Sequence, residues 1–416
     1  MYQLRRFHGA RFERVNGIID SLGGHVTQHV NLIGSATLPF PEVCQMQGLP
    51  GTACRAEGHL GARLFPGTDP IDRAEAIIDE ECRRLFKLSS DYAVSGQPHS
   101  ATQANHAVFR AVLGDEPSAV CYLSPGDGGH ISHRLGMPPH TRLHGFPLIE
   151  DGIDYDALED RVREHSPRLL VAGGTSYTRA IDYPRLRLIA DRVGAHLHAD
   201  LAHTAPYVIA GLHPDVLPFA DSVTLDTSKN LRGPRGGVLI YGGQTGSDIR
   251  RSIFPVLQSS PSQSALMAKA LCLTMWTVDE VSALACRMVS LAKEIEAPIS
   301  EVTGPAVFGG TDTHLLLFDL RSLDLDGRTA EGALEKHRIL ANRNQIPGDE
   351  QPHWVTSGIR LGTTVPAILE YSKEDTRELG RAIAGLLAHG LNPSATVDRL
   401  LGEYHEGLVN IASGST

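Results

Sequence analysis

Thr224-Leu225-Asp226-Thr227-Ser228-Lys229-Asn230-Leu231-Arg232-Gly233-Pro234-Arg235-Gly236-Gly237, preceded by His198-Ala199-Asp200-Leu201-Ala202-His203, decides how this chain is read. An aspartate that ends one buried strand and a lysine just past the next are the pair that pyridoxal phosphate (PLP) demands. The carboxylate keeps the pyridine nitrogen protonated, without which the ring is a poor electron sink, and the amine forms a Schiff base with the cofactor. An ammonium with the ordinary pKa near ~10.4 does not attack a carbonyl at neutral pH, so the lysine needs surroundings that keep some of it neutral. The pair points to chemistry at the α-carbon of an amino acid.

Working outward, strand and helix signals alternate. Leu169-Leu170-Val171-Ala172 is a short apolar run ending at Gly173-Gly174. Asp182 then caps a segment with Leu186, Ile189, Ala190 and Val193 at helical spacing, closed by Gly194. His196 to Ala199, Ser222 to Leu225 and Val238 to Tyr241 supply further strands, with Asp200 and Lys229 beyond the ends of the first two. The pattern predicts an α/β fold: a mostly parallel sheet covered by helices, with functional residues at the carboxyl ends of strands. After about Val281 the pattern changes to a helix-like stretch reaching Glu301-Val302-Thr303-Gly304, a strand Leu315-Leu316-Leu317-Phe318, a helix from about Thr329 to His337 and a last amphipathic helix around Glu378 to His389. The expected organisation is an N-terminal arm over 1–30, a large PLP-binding domain over 31–285 and a smaller C-terminal α+β domain over 286–416. Ala412-Ser413-Gly414-Ser415-Thr416 reads as a disordered end.

The 416 residues, 41% hydrophobic, exceed the size at which one core stops growing, which favours two domains. A formal charge of -10 with both signs interspersed argues against nucleic acid and against an anionic membrane surface. Cys44, Cys54, Cys82, Cys121, Cys272 and Cys286 form no C-x-x-C pair, so neither a zinc knuckle nor a dithiol site is indicated. The start, Met1-Tyr2-Gln3-Leu4-Arg5-Arg6-Phe7-His8, lacks a secretory apolar core, and the expected location is cytoplasmic.

Several motifs occur together and in order: Asn31-Leu32-Ile33-Gly34-Ser35, Arg55-Ala56-Glu57-Gly58, Gln97 to Asn105, Gly128-Gly129-His130, Asp200-Leu201-Ala202-His203, the lysine stretch, and Thr356-Ser357-Gly358-Ile359-Arg360-Leu361-Gly362-Thr363. This set resembles serine hydroxymethyltransferase over nearly the whole chain and implies a fold-type I PLP enzyme. The resemblance implies that Lys229 carries the cofactor and Asp200 partners its ring nitrogen. Ser100, Ala101 and Thr102 would face the phosphate at a helix start, and His130 would stack on the ring. Thr175 and His203 would lie near the phenolic oxygen. Arg360 would bind the substrate carboxylate with Ser35 assisting, and Glu57 would handle the proton of the substrate hydroxyl, donated across a homodimer interface.

The departures bear on the reaction. Ser35 is followed by Ala36 and Thr37 instead of the family's glutamate and asparagine; Arg55 stands for a phosphate-binding tyrosine, and Leu64 and Phe65 for paired tyrosines beside the folate. Asp226 and Ser228 replace a threonine and a histidine before the lysine, and Val256 to Ser260 replaces a glycine-rich segment. Arg55 still suits a phosphate dianion. The tetrahydrofolate site is the part put in doubt. Cleaving or making the Cα–Cβ bond of a β-hydroxy amino acid needs the electron sink, the carboxylate clamp and a base; folate only carries the one-carbon fragment. The reading is therefore PLP-dependent aldol or retro-aldol chemistry on glycine or a β-hydroxy amino acid, folate-independent, like a threonine aldolase or a transaldolase of specialised metabolism with an aldehyde as second substrate. Ordinary serine hydroxymethyltransferase is the alternative, and another PLP reaction such as racemisation or decarboxylation a third.

Two rivals come from other classes. His196-x-His198-x-Asp200 places three potential ligands on one strand face, as a metal-dependent hydrolase requires, though no second ligand cluster accompanies them and no metal is expected. A catalytically silent relative is the other; Lys229, Asp200, Glu57 and Arg360 together argue against it.

Overall fold

Ala119–Tyr122, Leu169–Ala172, His196–Asp200 and Gly237–Tyr241 are buried at every position, the mark of strands covered on both faces, and all but His196–Asp200 accordingly run apolar instead of alternating. In this computed structural model, which describes residues 2–7 and 9–412, they belong to one seven-stranded sheet. In chain order its strands are β1 (Ala93–Ser95), β2 (Ala119–Tyr122), β3 (Arg142–Gly145), β4 (Leu169–Ala172), β5 (His196–Asp200), β6 (Ser222–Asp226) and β7 (Gly237–Tyr241). Their spatial order is β1-β7-β6-β5-β4-β2-β3. Neighbours from β6 to β3 run parallel, whereas β7 is antiparallel to both β6 and β1. The α/β architecture is thus the expected one, with one antiparallel strand, β7, next to the edge strand β1.

The helices between parallel strands start on polar caps. Asp154 Oδ1 accepts from Ala157 N at 3.0 Å, and Asp182 Oδ1 accepts from Arg185 N at 3.0 Å, each relieving a first-turn N–H that has no partner within its helix. The helix Ala101–Leu113 lays Ala104, Val108, Phe109 and Val112 against Val120, Tyr122, Leu169 and Val171 of the sheet. Truncating a fully buried aromatic such as Phe109 to alanine costs about 3–5 kcal/mol. This packing holds the amino end of that helix fixed beside the carboxyl ends of β5 and β6, where Asp200 and the Lys229 loop emerge.

The chain divides into two compact units, 37–286 and 1–36 with 287–416. The first 36 residues group by their contacts with the C-terminal part. Val30–Asn31 pairs in parallel with Ile339–Leu340, and Gly362 N donates to Leu32 O. Within this second unit, Gly358–Gly362 is the central strand between Leu315–Asp319 and Asn342–Asn344, antiparallel to both. Gly327–Lys336 and Lys373–His389 are two of its helices, close to the expected segments, while the stretch from Val278 to Thr303, whose first nine residues belong to the other unit, is one continuous helix despite Pro298. Tyr2–Arg5 pairs with Val409–Ala412, so Ala412 ends a strand; residues 413–416 of the expected tail lie outside the described residues. Among the described residues no helix is long and apolar enough to cross a membrane.

Candidate active site

Asp200 is buried at the end of β5, 6% exposed. Its Oδ2 accepts from Asn105 Nδ2 at 2.7 Å and from His133 Nε2 at 3.0 Å, and its Oδ1 accepts from Ala202 N at 3.0 Å. Burial alone would push this carboxyl up, but the hydrogen bond and charge of His133, together with Lys229 and His130, hold it well below the usual carboxylate range. It is an anion at any working pH. Gly173, at φ +154, makes room for it: a Cβ there would lie 2.3 Å from Asp200 O, so the loop after β4 closes on the aspartate only through a glycine.

Lys229 follows β6 in a tight loop. Thr227 N donates to Gly236 O and Gly233 N to Thr227 O, Thr227 Oγ1 donates to Pro234 O, and Asp226 Oδ1 accepts from both N and Oγ of Ser228. The Lys229 ammonium lies 3.7 Å from Asp226 Oδ2, and both side chains are mostly buried. Asn230 Nδ2 donates to His203 O, tying the lysine loop to the loop after β5, and His203 Nε2 lies 3.4 Å from Thr175 Oγ1. The N–H groups of Thr175, Ser176 and Tyr177 all donate to Gly128 O, which joins Thr175 to the Gly128-Gly129-His130 turn. His130 Nδ1 lies 2.7 Å from Ser132 Oγ, and burial pushes its imidazole down to about 4 against the opposing pull of Asp200. His130 is neutral at pH 7.

Ser100 caps the helix Ala101–Leu113, its Oγ accepting from Gln103 N at 3.1 Å. The N–H groups of Ala101 and Thr102 belong to the first turn, where no intrahelical acceptor exists and the helix dipole favours an anion. A Cβ on Gly237 would stand 2.5 Å from Ser100 O, so this turn also packs against a glycine of β7.

Glu57 is half-buried on a loop that is pinned on both sides. Arg63 Nη1 donates to Ala56 O at 3.0 Å and to Gly58 O at 2.8 Å, its Nε donates to Asp72 Oδ1 at 2.8 Å, and its Nη2 lies 3.0 Å from Glu75 Oε2. Gln97 Nε2 adds a bond to Gly58 O, and Ser260 Oγ accepts from Ala56 N. Arg55, just before this loop, is exposed, and among the described residues no hydrogen bond or ion pair joins it to Ser100 or Thr102. Leu64 and Phe65 are exposed as well.

In the other unit, Arg360 projects from the central strand Gly358–Gly362, 7% exposed, and its Nε and Nη2 donate to the neutral Asn342 Oδ1 at 3.2 and 3.0 Å. Burial pushes its guanidinium down to about 10, which leaves it charged at pH 7. A Cβ on Gly34 would lie 3.1 Å from Arg360 Nε, so the Gly34-Ser35 turn runs directly beside the guanidinium; Ser35 itself is exposed.

Sequence reasoning gave no role to Asn105, His133 or Arg63. Asn105 had a legible signal: it lies on the apolar stripe of its helix with Ala101, Ala104 and Val108, where a polar residue needs a buried partner. The metal reading of His196, His198 and Asp200 fails on partners. His196 Nε2 and His198 Nδ1 both meet Ser222 Oγ, at 2.7 and 2.8 Å, and His198 Nε2 meets Asn105 Oδ1 at 2.9 Å, so the imidazoles are committed to hydrogen bonds. Among the described residues no cluster of three or more His, Cys, Asp or Glu side chains suits a metal.

A model of the serine hydroxymethyltransferase family matches residues 12–383. This chain belongs to that family. It is 36% identical over 376 residues to serine hydroxymethyltransferase 1 of Pseudomonas fluorescens (strain Pf0-1), covering 89% of this chain and 90% of the relative. Over 379 residues it is also 36% identical to serine hydroxymethyltransferase 2 of the same strain, covering 89% of each. It is a PLP-dependent, fold-type I enzyme of the serine hydroxymethyltransferase type, acting on amino acids. The residues present fit PLP. A carboxylate has about four acceptor sites; among the described residues three donors reach Asp200, which leaves room for a ring N–H, and a helix amino end suits a phosphate.

Proposed function

We propose that this enzyme makes or breaks the Cα–Cβ bond of a β-hydroxy amino acid such as threonine without tetrahydrofolate, as an aldolase or as a transaldolase of specialised metabolism that takes an aldehyde as second substrate. Bound PLP supplies the electron sink that lets that bond break. Lys229 would be its attachment point, Asp200 would hold the proton at the ring nitrogen, and neutral His130 would stack on the ring. Ser100, Ala101, Thr102 and Arg55 take the phosphate, and Thr175 and His203 take the phenolic oxygen. Arg360, with Ser35, receives the substrate carboxylate. Glu57 accepts the proton of the β-hydroxyl, and in a homodimer it serves the partner's site; the exposed Leu60, Leu64 and Phe65 beside it support such an interface.

The observation that carries the folate-independent reading is Leu64-Phe65. These are apolar side chains, 66% and 41% exposed, on the Glu57 loop where the family resemblance places the tyrosines that contact folate. Aliphatic carbon at Leu64 offers neither the ring face nor the hydroxyl that such a contact uses. The test is cleavage of threonine and of serine with and without tetrahydrofolate, following acetaldehyde and glycine. Threonine cleavage at a rate indifferent to folate is the expected result. Rapid, folate-dependent conversion of serine to glycine assigns the chain to ordinary serine hydroxymethyltransferase activity, which its 36% identity to the curated relatives favours.

A further inference from the structure

Behind Asp200, a line of polar side chains runs from the half-buried Thr245, at the amino end of β5, to the carboxylate, buried from His196 onward. Thr245 Oγ1 lies 3.3 Å from His196 Nδ1, His196 Nε2 is 2.7 Å from Ser222 Oγ, Ser222 Oγ is 2.8 Å from His198 Nδ1, His198 Nε2 is 2.9 Å from Asn105 Oδ1, and Asn105 Nδ2 is 2.7 Å from Asp200 Oδ2. His198, Ser222 and Asn105 are fully buried and His196 is 8% exposed. The direction of each bond follows from the carboxylate. Asp200 only accepts, so the amide nitrogen of Asn105 faces it; the second hydrogen of that nitrogen points to Ser132 Oγ at 3.3 Å. Asn105 Oδ1 therefore faces His198, whose Nε2 must carry a hydrogen, with Thr224 Oγ1 at 3.4 Å as a second acceptor. His198 Nδ1 is then a lone pair that takes the single hydrogen of Ser222. Ser222 Oγ accepts in turn from His196 Nε2–H, and His196 Nδ1 accepts from Thr245. Burial keeps both rings neutral, pushing His196 down to about 4 and His198 down to about 3, which leaves each with the one hydrogen this scheme requires.

We propose that Thr245, His196, Ser222, His198 and Asn105 form a one-way donor chain ending on Asp200, and that His198 and Asn105 are thereby positioning residues for the PLP ring nitrogen. Donors aligned in one sense polarise one another, and a dry interior strengthens each bond. The chain fixes the Asn105 amide so that it cannot turn its oxygen toward Asp200, and it keeps the carboxylate anionic where the cofactor needs it. The amide cannot pass a proton along, so the chain orients and polarises and does not conduct. This inference is independent of which amino acid or aldehyde the enzyme uses.

Two measurements test it. In selectively 15N-histidine-labelled holoenzyme, His196 and His198 are expected as neutral Nε2–H tautomers from about pH 6 to about pH 9; a proton on His198 Nδ1, or a doubly protonated His198 in that range, overturns the direction of the chain. For Ser222→Ala, His198→Phe and Asn105→Ala, PLP affinity of the apoenzyme and the visible absorption of the reconstituted protein are compared. Asn105→Ala should weaken PLP binding about tenfold or more, with His198→Phe and Ser222→Ala showing graded, smaller losses and shifted spectra. Wild-type affinity and spectrum in both Ser222→Ala and His198→Phe reduce the chain to packing and end the proposal. Ser222→Ala removes one oxygen and keeps the fold testable should His198→Phe fail to fold.

Discussion

Replacing Arg63 separates two jobs of one guanidinium. Its side chain is 3% exposed, its partner Glu75 is 8% exposed, and they meet at 3.0 Å. Removing one partner of a buried pair leaves the other charge unpaired and costs about 3–5 kcal/mol. Arg63→Met should lose that much, and with it the donors to Ala56 O and Gly58 O on either side of Glu57; Gly58 O keeps Gln97. The loss should depend on pH. Burial already pushes the Glu75 carboxyl up against the opposing charge of Arg63, and without Arg63 it rises further. A group whose folded pKa lies above its unfolded value stabilises most at low pH, so the variant should be less destabilised at roughly pH 5.5 than at roughly pH 8. Urea denaturation at the two pH values reads this difference. Arg63→Lys restores a charge for Glu75 but cannot fork to two carbonyls and Asp72 at once. It should recover much of the stability while cleavage of the β-hydroxy amino acid stays slower by about tenfold to a hundredfold, the loss expected when a reacting group is displaced by an ångström or less. Wild-type stability with no pH dependence in Arg63→Met, or full cleavage rate in Arg63→Lys, would refute the reasoning.

Borohydride treatment of the PLP-loaded enzyme should fix the cofactor to the peptide containing Lys229, and Lys229→Ala should lose both the fixation and the yellow colour; fixation at another lysine reassigns the attachment point. Arg360→Ala should weaken glycine binding by about 2 kcal/mol, or roughly thirtyfold, in a spectral titration, with only partial rescue by Arg360→Lys, whereas an unchanged titration removes Arg360 from the site. Asp200, held low by His133, Lys229 and His130 despite its burial, contributes stability that is fully present above its unfolded pKa near ~3.9 and is lost as pH falls toward its lower folded value. Asp200→Asn should therefore flatten the acid limb of a stability-against-pH curve, and an acid limb as steep as the wild-type curve contradicts the assignment.

Asp200 and Lys229 were legible because one ends a short strand and the other stands three residues beyond the next, so the local pattern alone places them at strand ends. Their supports were not. Asn105 and His133 reach Asp200 across 95 and 67 residues of sequence, and only the sheet order brings a helix after β1 and a short helix after β2 to the end of β5. The two histidines of β5 were visible as a pattern on one strand face, but the same spacing serves metal ligands and a hydrogen-bonded row alike. What decides between them is Ser222 on the neighbouring strand, paired in register with His198. The grouping of residues 1–36 with the C-terminal unit was hidden for the same reason, since a two-residue strand carries no periodicity to announce a partner some 300 positions away.

That pairing has a consequence for biosynthesis. Val30 and Leu32, both fully buried in the finished protein, are made some 300 residues ahead of Ile339, Leu340 and Gly362, which hold their backbone. At about 5–20 residues per second the early segment waits roughly 15–60 s for its partners. During that interval its apolar side chains have no native place to go, while residues 37–286 can already collapse around their own core. The yield of this enzyme in a cell should then respond to translation speed more than its folded stability would suggest.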